Sequence, residues 1–253
     1  MIIFLSILLA INVIWSLLLH LSPVHATIWN YLFGASYAII YFVGGAYGMW
    51  KGMSQNKTSV MGKTLIFLGL GIFFWGVGNA IWVYYNLFGN VEIPYPSAAD
   101  VAYVVLYPAV AAGCFYFIKL FKPLVTKALA RDAVLIIAVT AVATFYLFRP
   151  DLTAGLPFWQ RFFNFFYPLG DAVLLSLALI MLRISAGKVQ RGMSMLILAL
   201  FVQAIADFFF TTRTSAGTYW NGDISDLLYA VSGFIFAISL IKLSSFEQEP
   251  KAT

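Results

Sequence analysis

Apolar residues follow one another along this chain in runs of about 20, the length a helix needs to cross the hydrocarbon of a bilayer. Eight such runs stand at roughly 2–22, 27–50, 64–88, 98–119, 131–148, 160–183, 193–214 and 224–244. They are longer and less interrupted than the helices of a soluble core. The pattern predicts an all-α polytopic membrane bundle of about eight transmembrane helices. Composition closes off the soluble alternative, because 62% of the residues are hydrophobic and 10% charged, against about 25% charged in soluble chains. Outside the spans lie short loops and a ten-residue tail from Ser244, so no attached soluble catalytic or output domain is expected.

Charge orients the spans. If the sides alternate, one side receives Lys51, Lys57, Lys63, Lys119, Lys122, Lys127, Arg131, Arg183, Lys188, Arg191, Lys242 and Lys251. The other receives Arg149, Arg161 and Arg213. Twelve against three is a positive-inside bias, which predicts a multi-pass protein of the cell (plasma) membrane with cytoplasmic N- and C-termini. The net charge of +5 therefore belongs to membrane topology, and no nucleic-acid partner is expected. Acidic residues divide in the opposite sense: Glu92, Asp100, Asp151, Asp171, Asp207, Asp223 and Asp226 lie at or toward the outer side, and Asp132, Glu247 and Glu249 inside. The segment "SPVHAT" after the first span has the small-x-small pattern of a cleavage site, but no basic n-region precedes it, so the first span is expected to remain. Cys114, the single cysteine, excludes an internal disulfide.

The chain reads as two similar halves. Span 3 carries Trp75, Asn79 and Trp82 and leads into Asp100 and Tyr103; span 7 carries Gln203 and Asp207 and leads into Asp226 and Tyr229. Spans 4 and 8 both close on "IKL", at 118–120 and 241–243. These matches predict a 4+4 parallel repeat with halves 1–122 and 123–245 and a short cytoplasmic tail, 246–253, the basic segment Lys119 to Arg131 marking the boundary. Two independent hairpin solutions to one bilayer would look similar. Gly44 and Gly48 in span 2, and Gly76 and Ala80 in span 3, have the spacing of close helix contacts. Tyr31, Tyr84, Tyr85, Tyr95, Trp159, Tyr219 and Trp220 gather toward the outer boundary, as headgroup anchors do.

Polar residues inside the spans carry any chemistry there is. Ser97 with Asp100, and Asp223 with Asp226, have the three-residue spacing of helix N-caps, so capping accounts for part of their presence. Asp207 lies deep in span 7 and Asp171 deep in span 6, though Pro168 there signals a kink or a late helix start. An aspartate near mid-bilayer costs about 2.5–3.5 kcal/mol and usually faces a bundle interior or a wet cavity. Spacing places Asp223, Asp226 and Tyr229 on one face of span 8, and Asp100, Tyr103 and Tyr107 on one face of span 4. A cavity lined by Asn79, Asp100, Tyr103, Tyr107, Asp171, Asp207, Asp226 and Tyr229, open to the outside, is the expected ligand site. No lysine or arginine lies deep in a span to neutralise those carboxyls. They must be protonated or bind something positive, and aromatic faces favour organic cations.

Other chemistries lack their residues. His20 and His25, the only histidines, do not share a helical face, so no haem or zinc site is expected. Serine nucleophiles have no histidine beside them, glycine-rich phosphate loops are absent, and no cofactor, metal or catalytic residue is assigned.

The run Trp75, Asn79, Trp82, Tyr85, Pro96-Ser97-Ala98-Ala99-Asp100, Tyr103, Tyr107-Pro108 resembles the multi-pass N-terminal sensor regions of some bacterial diguanylate cyclases and histidine kinases. The likeness covers spans 3 and 4 in detail and the remainder by general pattern. It implies a stand-alone sensing module in the lipid bilayer that signals through a separate protein or a homo-oligomer and binds a small molecule or ion. A small ion-coupled transporter, and an intramembrane enzyme acting on a lipid or isoprenoid, are the alternatives.

Overall fold

The computed structural model describes residues 1–55, 57–148 and 155–245. The predicted tail 246–253 lies outside the described residues, as do Arg149, Asp151, Glu247, Glu249 and Lys251 of the charge pattern. The helices are α1 (Ile2–Leu21), α2 (Ile28–Ser54), α3 (Val60–Phe88), α4 (Ala98–Val104), α5 (Leu106–Leu120), α6 (Lys127–Phe148), α7 (Phe158–Ile184), α8 (Gly187–Ser215) and α9 (Ile224–Ser244), with a 3-10 turn at Lys122–Leu124. No strand occurs among the described residues. Eight helical segments, α4 and α5 together forming one, are long and apolar enough to cross a membrane. The protein is an all-α, multi-pass integral membrane protein.

Helix ends follow the local signals. Ser59 accepts the Gly62 amide at 2.9 Å to open α3. The fourth span is interrupted at Val105, three residues before Pro108, whose ring nitrogen has no hydrogen to offer the carbonyl four residues back. Pro168, by contrast, sits inside an unbroken α7 that begins at Phe158. Asp171 is therefore a mid-helix residue, thirteen positions from that start, or about 20 Å at 1.5 Å per residue.

Packing runs around the bundle. α2 pairs with α3, α3 with α4 and α5, α7 with α8, and α8 with α9. Four further contacts tie the early and late helices: α1, α2 and α3 touch α9, and α5 lies on α7. Backbones meet most closely between α2 and α3. A Cβ built on Gly45 would stand 2.6 Å from the Phe73 nitrogen and 2.7 Å from the Gly69 carbonyl oxygen, and one on Gly69 would stand 2.7 Å from the Gly45 oxygen. Gly44 and Gly48 meet Ala237 and Leu240 of α9, and Gly76 meets Tyr41 and Phe42 of α2. Ala80 is exposed, so the predicted contact there is absent; the α3 face that meets α2 runs through Gly69 and Gly76 instead. α6 packs chiefly on α7, and only 6% of its apolar window is buried, so its surface is left to lipid.

Candidate functional site

The lysines at the ends of α2, α5 and α9 and the starts of α3, α6 and α8 mark one end of the bundle. At the other end α4 and α9 begin, and both begin with the same device. Ser97 caps α4, and its own amide donates to Asp100 Oδ2 at 2.7 Å. Asp223 caps α9, accepting from the Ser225 amide at 2.8 Å, while the Gly222 amide donates to Asp226 Oδ2 at 2.5 Å. Gly222 has φ of +95°, a conformation that glycine adopts freely and that turns its amide back toward Asp226.

Tyrosines from other helices and from the loop before α9 complete each carboxylate. Tyr167 of α7 donates to Asp100 Oδ1 at 2.5 Å. Tyr37 of α2 and Tyr219 donate to Asp226 Oδ1 at 3.3 and 3.2 Å. Both oxygens of Asp100 and of Asp226 are thereby engaged. Three residues on, the second pair of contacts also recurs: Tyr103 reaches Asn79 Oδ1 at 3.5 Å, and Tyr229 donates to Asp207 Oδ1 at 2.6 Å. Asn79 in turn donates to the Gly34 carbonyl at 2.6 Å.

Asp171 and Asp207 are placed differently. Both are buried, at 3% and 7% exposure. Asp171 Oδ1 accepts from Tyr107 at 3.3 Å, and the two carboxyl groups lie within hydrogen-bonding reach of each other. Oδ2 of each is buried without a well-aligned hydrogen bond, and the Gln203 amide and the Tyr107 hydroxyl stand beside the Asp207 carboxyl. Nε2 of Gln203, one turn before Asp207, is likewise without a partner, although its Oε1 accepts from Tyr41 and Ser232 at 3.2 and 3.0 Å.

These residues surround a cavity of about 40 Å³, where one ordered water needs about 10–15 Å³. Seven of the eight predicted positions line it: Asn79, Asp100, Tyr103, Tyr107, Asp207, Asp226 and Tyr229. Asp171, the eighth, joins them through the Tyr107 hydroxyl. Trp75 stands at the centre of the aromatic wall, stacked on Tyr41 at 4.1 Å and tilted against Tyr229 and Tyr103 at 4.9 and 5.1 Å. Among the described residues, no lysine, arginine or histidine lines the cavity.

Sequence reasoning missed Tyr37 and Tyr167, which also line it. Each lies mid-span, and each is followed four residues later by a second polar member of the network, Tyr41 and Asp171; that repeated spacing was the available signal. Tyr219, predicted as a headgroup anchor, is buried and lines the cavity instead. Burial, with Asp226 and Asp223 adding to it, holds its phenol well above the ordinary value, so it remains a donor. Tyr84 and Trp159 are exposed, as anchors are.

The loop before α9 is tied to three other segments at this end of the bundle. Asn221 accepts from the Trp82 indole at 2.7 Å, donates to the Glu92 carbonyl at 2.7 Å, and offers its own carbonyl to Asn30 at 2.8 Å. Arg213 Nε lies 2.7 Å from Asp223 Oδ2. Burial pushes the Asp223 carboxyl above its ordinary value, against the bonds from Ser225 and the Arg213 charge. His25 stacks on Trp220 at 3.9 Å and His20 meets its edge at 4.9 Å, so both histidines pack against this loop. No family model, curated protein or solved structure matches the chain.

Proposed function

We propose that this membrane protein is a non-enzymatic sensory module that binds a small cationic ligand in the cavity at its acidic, outward-facing end. The observation that carries the reading is the gathering of three carboxyl groups, from α4, α8 and α9, around one aromatic-walled cavity that no basic side chain lines, with a fourth, Asp171 of α7, against Asp207. Uncompensated carboxyls in a low-dielectric interior call for a positive partner, and tyrosine and tryptophan faces add cation–π attraction. The likeness of spans 3 and 4 to bacterial sensor regions supports sensing as the use of that binding. Signalling would then pass through a separate protein or a homo-oligomer.

The test is thermal unfolding of the purified chain in detergent with a panel of inorganic and organic cations. Wild type should be stabilised by at least one of them, and Asp207→Asn should lose that shift. Equal shifts for the two proteins would remove Asp207 from the site, and no shift with any cation would end the reading.

A small ion-coupled transporter is favoured by one specific feature: Asp171 stands mid-span in α7, where α5 of the first half packs on α7 of the second. Cation uptake into proteoliposomes above that of empty vesicles would select it over sensing.

A further inference from the structure

Three aspartates line the cavity and a fourth, Asp171, stands against one of them, but the four are not equivalent. Asp100 and Asp226 each have donors on both oxygens. Those bonds tie down the starts of two helices and spend part of each oxygen's accepting capacity. Asp171 and Asp207 each spend Oδ1 on one tyrosine hydroxyl and hold Oδ2 buried without a well-aligned donor, the Gln203 amide and the Tyr107 hydroxyl standing beside the Asp207 carboxyl. The two groups face each other from adjacent helices within hydrogen-bonding reach.

Two carboxyls held this close in an apolar interior cannot both be bare anions; something positive must lie between them. With no ligand, a shared proton meets that need. A cation that also carries N–H groups meets it better, because it brings charge and gives each orphan Oδ2 a hydrogen bond. Calcium is a poor fit: it takes about 6–8 oxygen ligands, mostly carboxylate or carbonyl, and among the described residues no third His, Cys, Asp or Glu joins the pair. The cavity beside Asp207, about 40 Å³, suits a group of very few heavy atoms, and Trp75 and Tyr229 both line it.

We propose that the Asp171–Asp207 pair is the seat of one ammonium group, either ammonium itself or the head of a small primary amine. This rests on the cation-binding reading above and names its ligand and its two contacting carboxyls. The N–H groups bridge Oδ2 of Asp171 and Oδ2 of Asp207, and the shared proton leaves to water as the ammonium enters. Tyr107 and Tyr229 act as positioning residues, holding each carboxyl by its other oxygen. The titratable groups facing the pair are those two tyrosines, with Tyr41, Tyr103 and Tyr167 more distant, and Asp100 and Asp226 at the cavity rim.

The probe is methylammonium chloride, titrated against the full chain in detergent micelles and followed by tryptophan fluorescence and thermal unfolding. Sodium chloride and choline chloride at matched ionic strength are the comparisons. Wild type and Asp132→Asn, an exposed carboxyl at the lysine-rich end, should bind methylammonium alike. Asp171→Asn and Asp207→Asn should each weaken it at least tenfold, and choline and sodium should not substitute. Unchanged methylammonium binding in Asp171→Asn and Asp207→Asn overturns the pair as its seat. Binding of choline as tight as methylammonium, lost in Asp207→Asn, overturns the N–H chemistry while leaving a cation site. Silence of every cation overturns both this inference and the reading it rests on. Should the asparagine variants not fold, Tyr107→Phe and Tyr229→Phe keep both carboxyls and should weaken methylammonium at least threefold; unchanged binding there overturns the proposal.

Discussion

The Tyr229 hydroxyl lies 2.6 Å from Oδ1 of Asp207, whereas the corresponding pair, Tyr103 and Asn79, is separated by 3.5 Å. The short bond ties α9 to α8 at the depth of the cavity and serves an acid; the long one serves an amide. Removing the hydroxyl should therefore matter more in the first place. Tyr229→Phe should lower stability by about 0.6–1.7 kcal/mol, the span seen for side-chain hydrogen bonds between membrane helices, and Tyr103→Phe by less. SDS titration of the purified variants in mixed micelles measures both. An equal or larger loss in Tyr103→Phe contradicts the assignment.

The crossing of α2 and α3 predicts a steric hierarchy among glycines. A Cβ on Gly69 meets only backbone, at 2.7 Å from the Gly45 oxygen and the Met49 nitrogen. On Gly34 it meets the end of the Val83 side chain at 2.9 Å, which can rotate. Gly69→Ala should cost about 1–3 kcal/mol by overpacking, and Gly34→Ala distinctly less. Unfolding midpoints of the two variants decide the order.

Asp100 is bound on both oxygens, one of them by the amide of its own helix cap. Asp100→Asn keeps one carbonyl acceptor and should be mild. Asp100→Leu removes the reciprocal bond to the Ser97 amide and the Tyr167 partner together, leaving both donors unsatisfied, and should cost about 1–3 kcal/mol. If leucine is tolerated as well as asparagine, α4 does not depend on this box.

Arg213 offsets a carboxyl that burial already disfavours as an anion. Arg213→Gln leaves Asp223 Oδ2 without its cation, costing about 1–3 kcal/mol near neutral pH; the figure stays modest because Arg213 is 35% exposed. The sign of the pH dependence follows. Losing Arg213 raises the folded-state value of Asp223 further above its unfolded value, so the folded variant binds a proton more readily than the unfolded chain. The penalty should shrink as pH falls through that raised value, when Asp223 protonates and needs no cation. Stability curves of wild type and variant should converge on acidification; parallel curves would contradict the pairing.

The spans were legible because their signal is composition over about 20 residues, which no tertiary contact overrides. The same holds for Ser97–Asp100 and Asp223–Asp226, whose spacing is a local instruction. Tyr37 and Tyr167 escaped because a buried tyrosine and a headgroup tyrosine look alike until the rotation of the helix is known. Gly45 and Gly69 escaped, and Ala80 was misjudged, for the same reason: the four-residue spacing names a stripe, and only the partner helix decides which stripe is used. Asn221 carried no periodic signal, since it lies in a loop and its bonds reach α2, α3 and the segment after α3.

α6 borders lipid along nearly its whole length and leans chiefly on α7, the helix that holds Asp171. A push from the bilayer or from a neighbouring membrane protein on α6 thus falls on α7, the helix that carries one of the two facing acids.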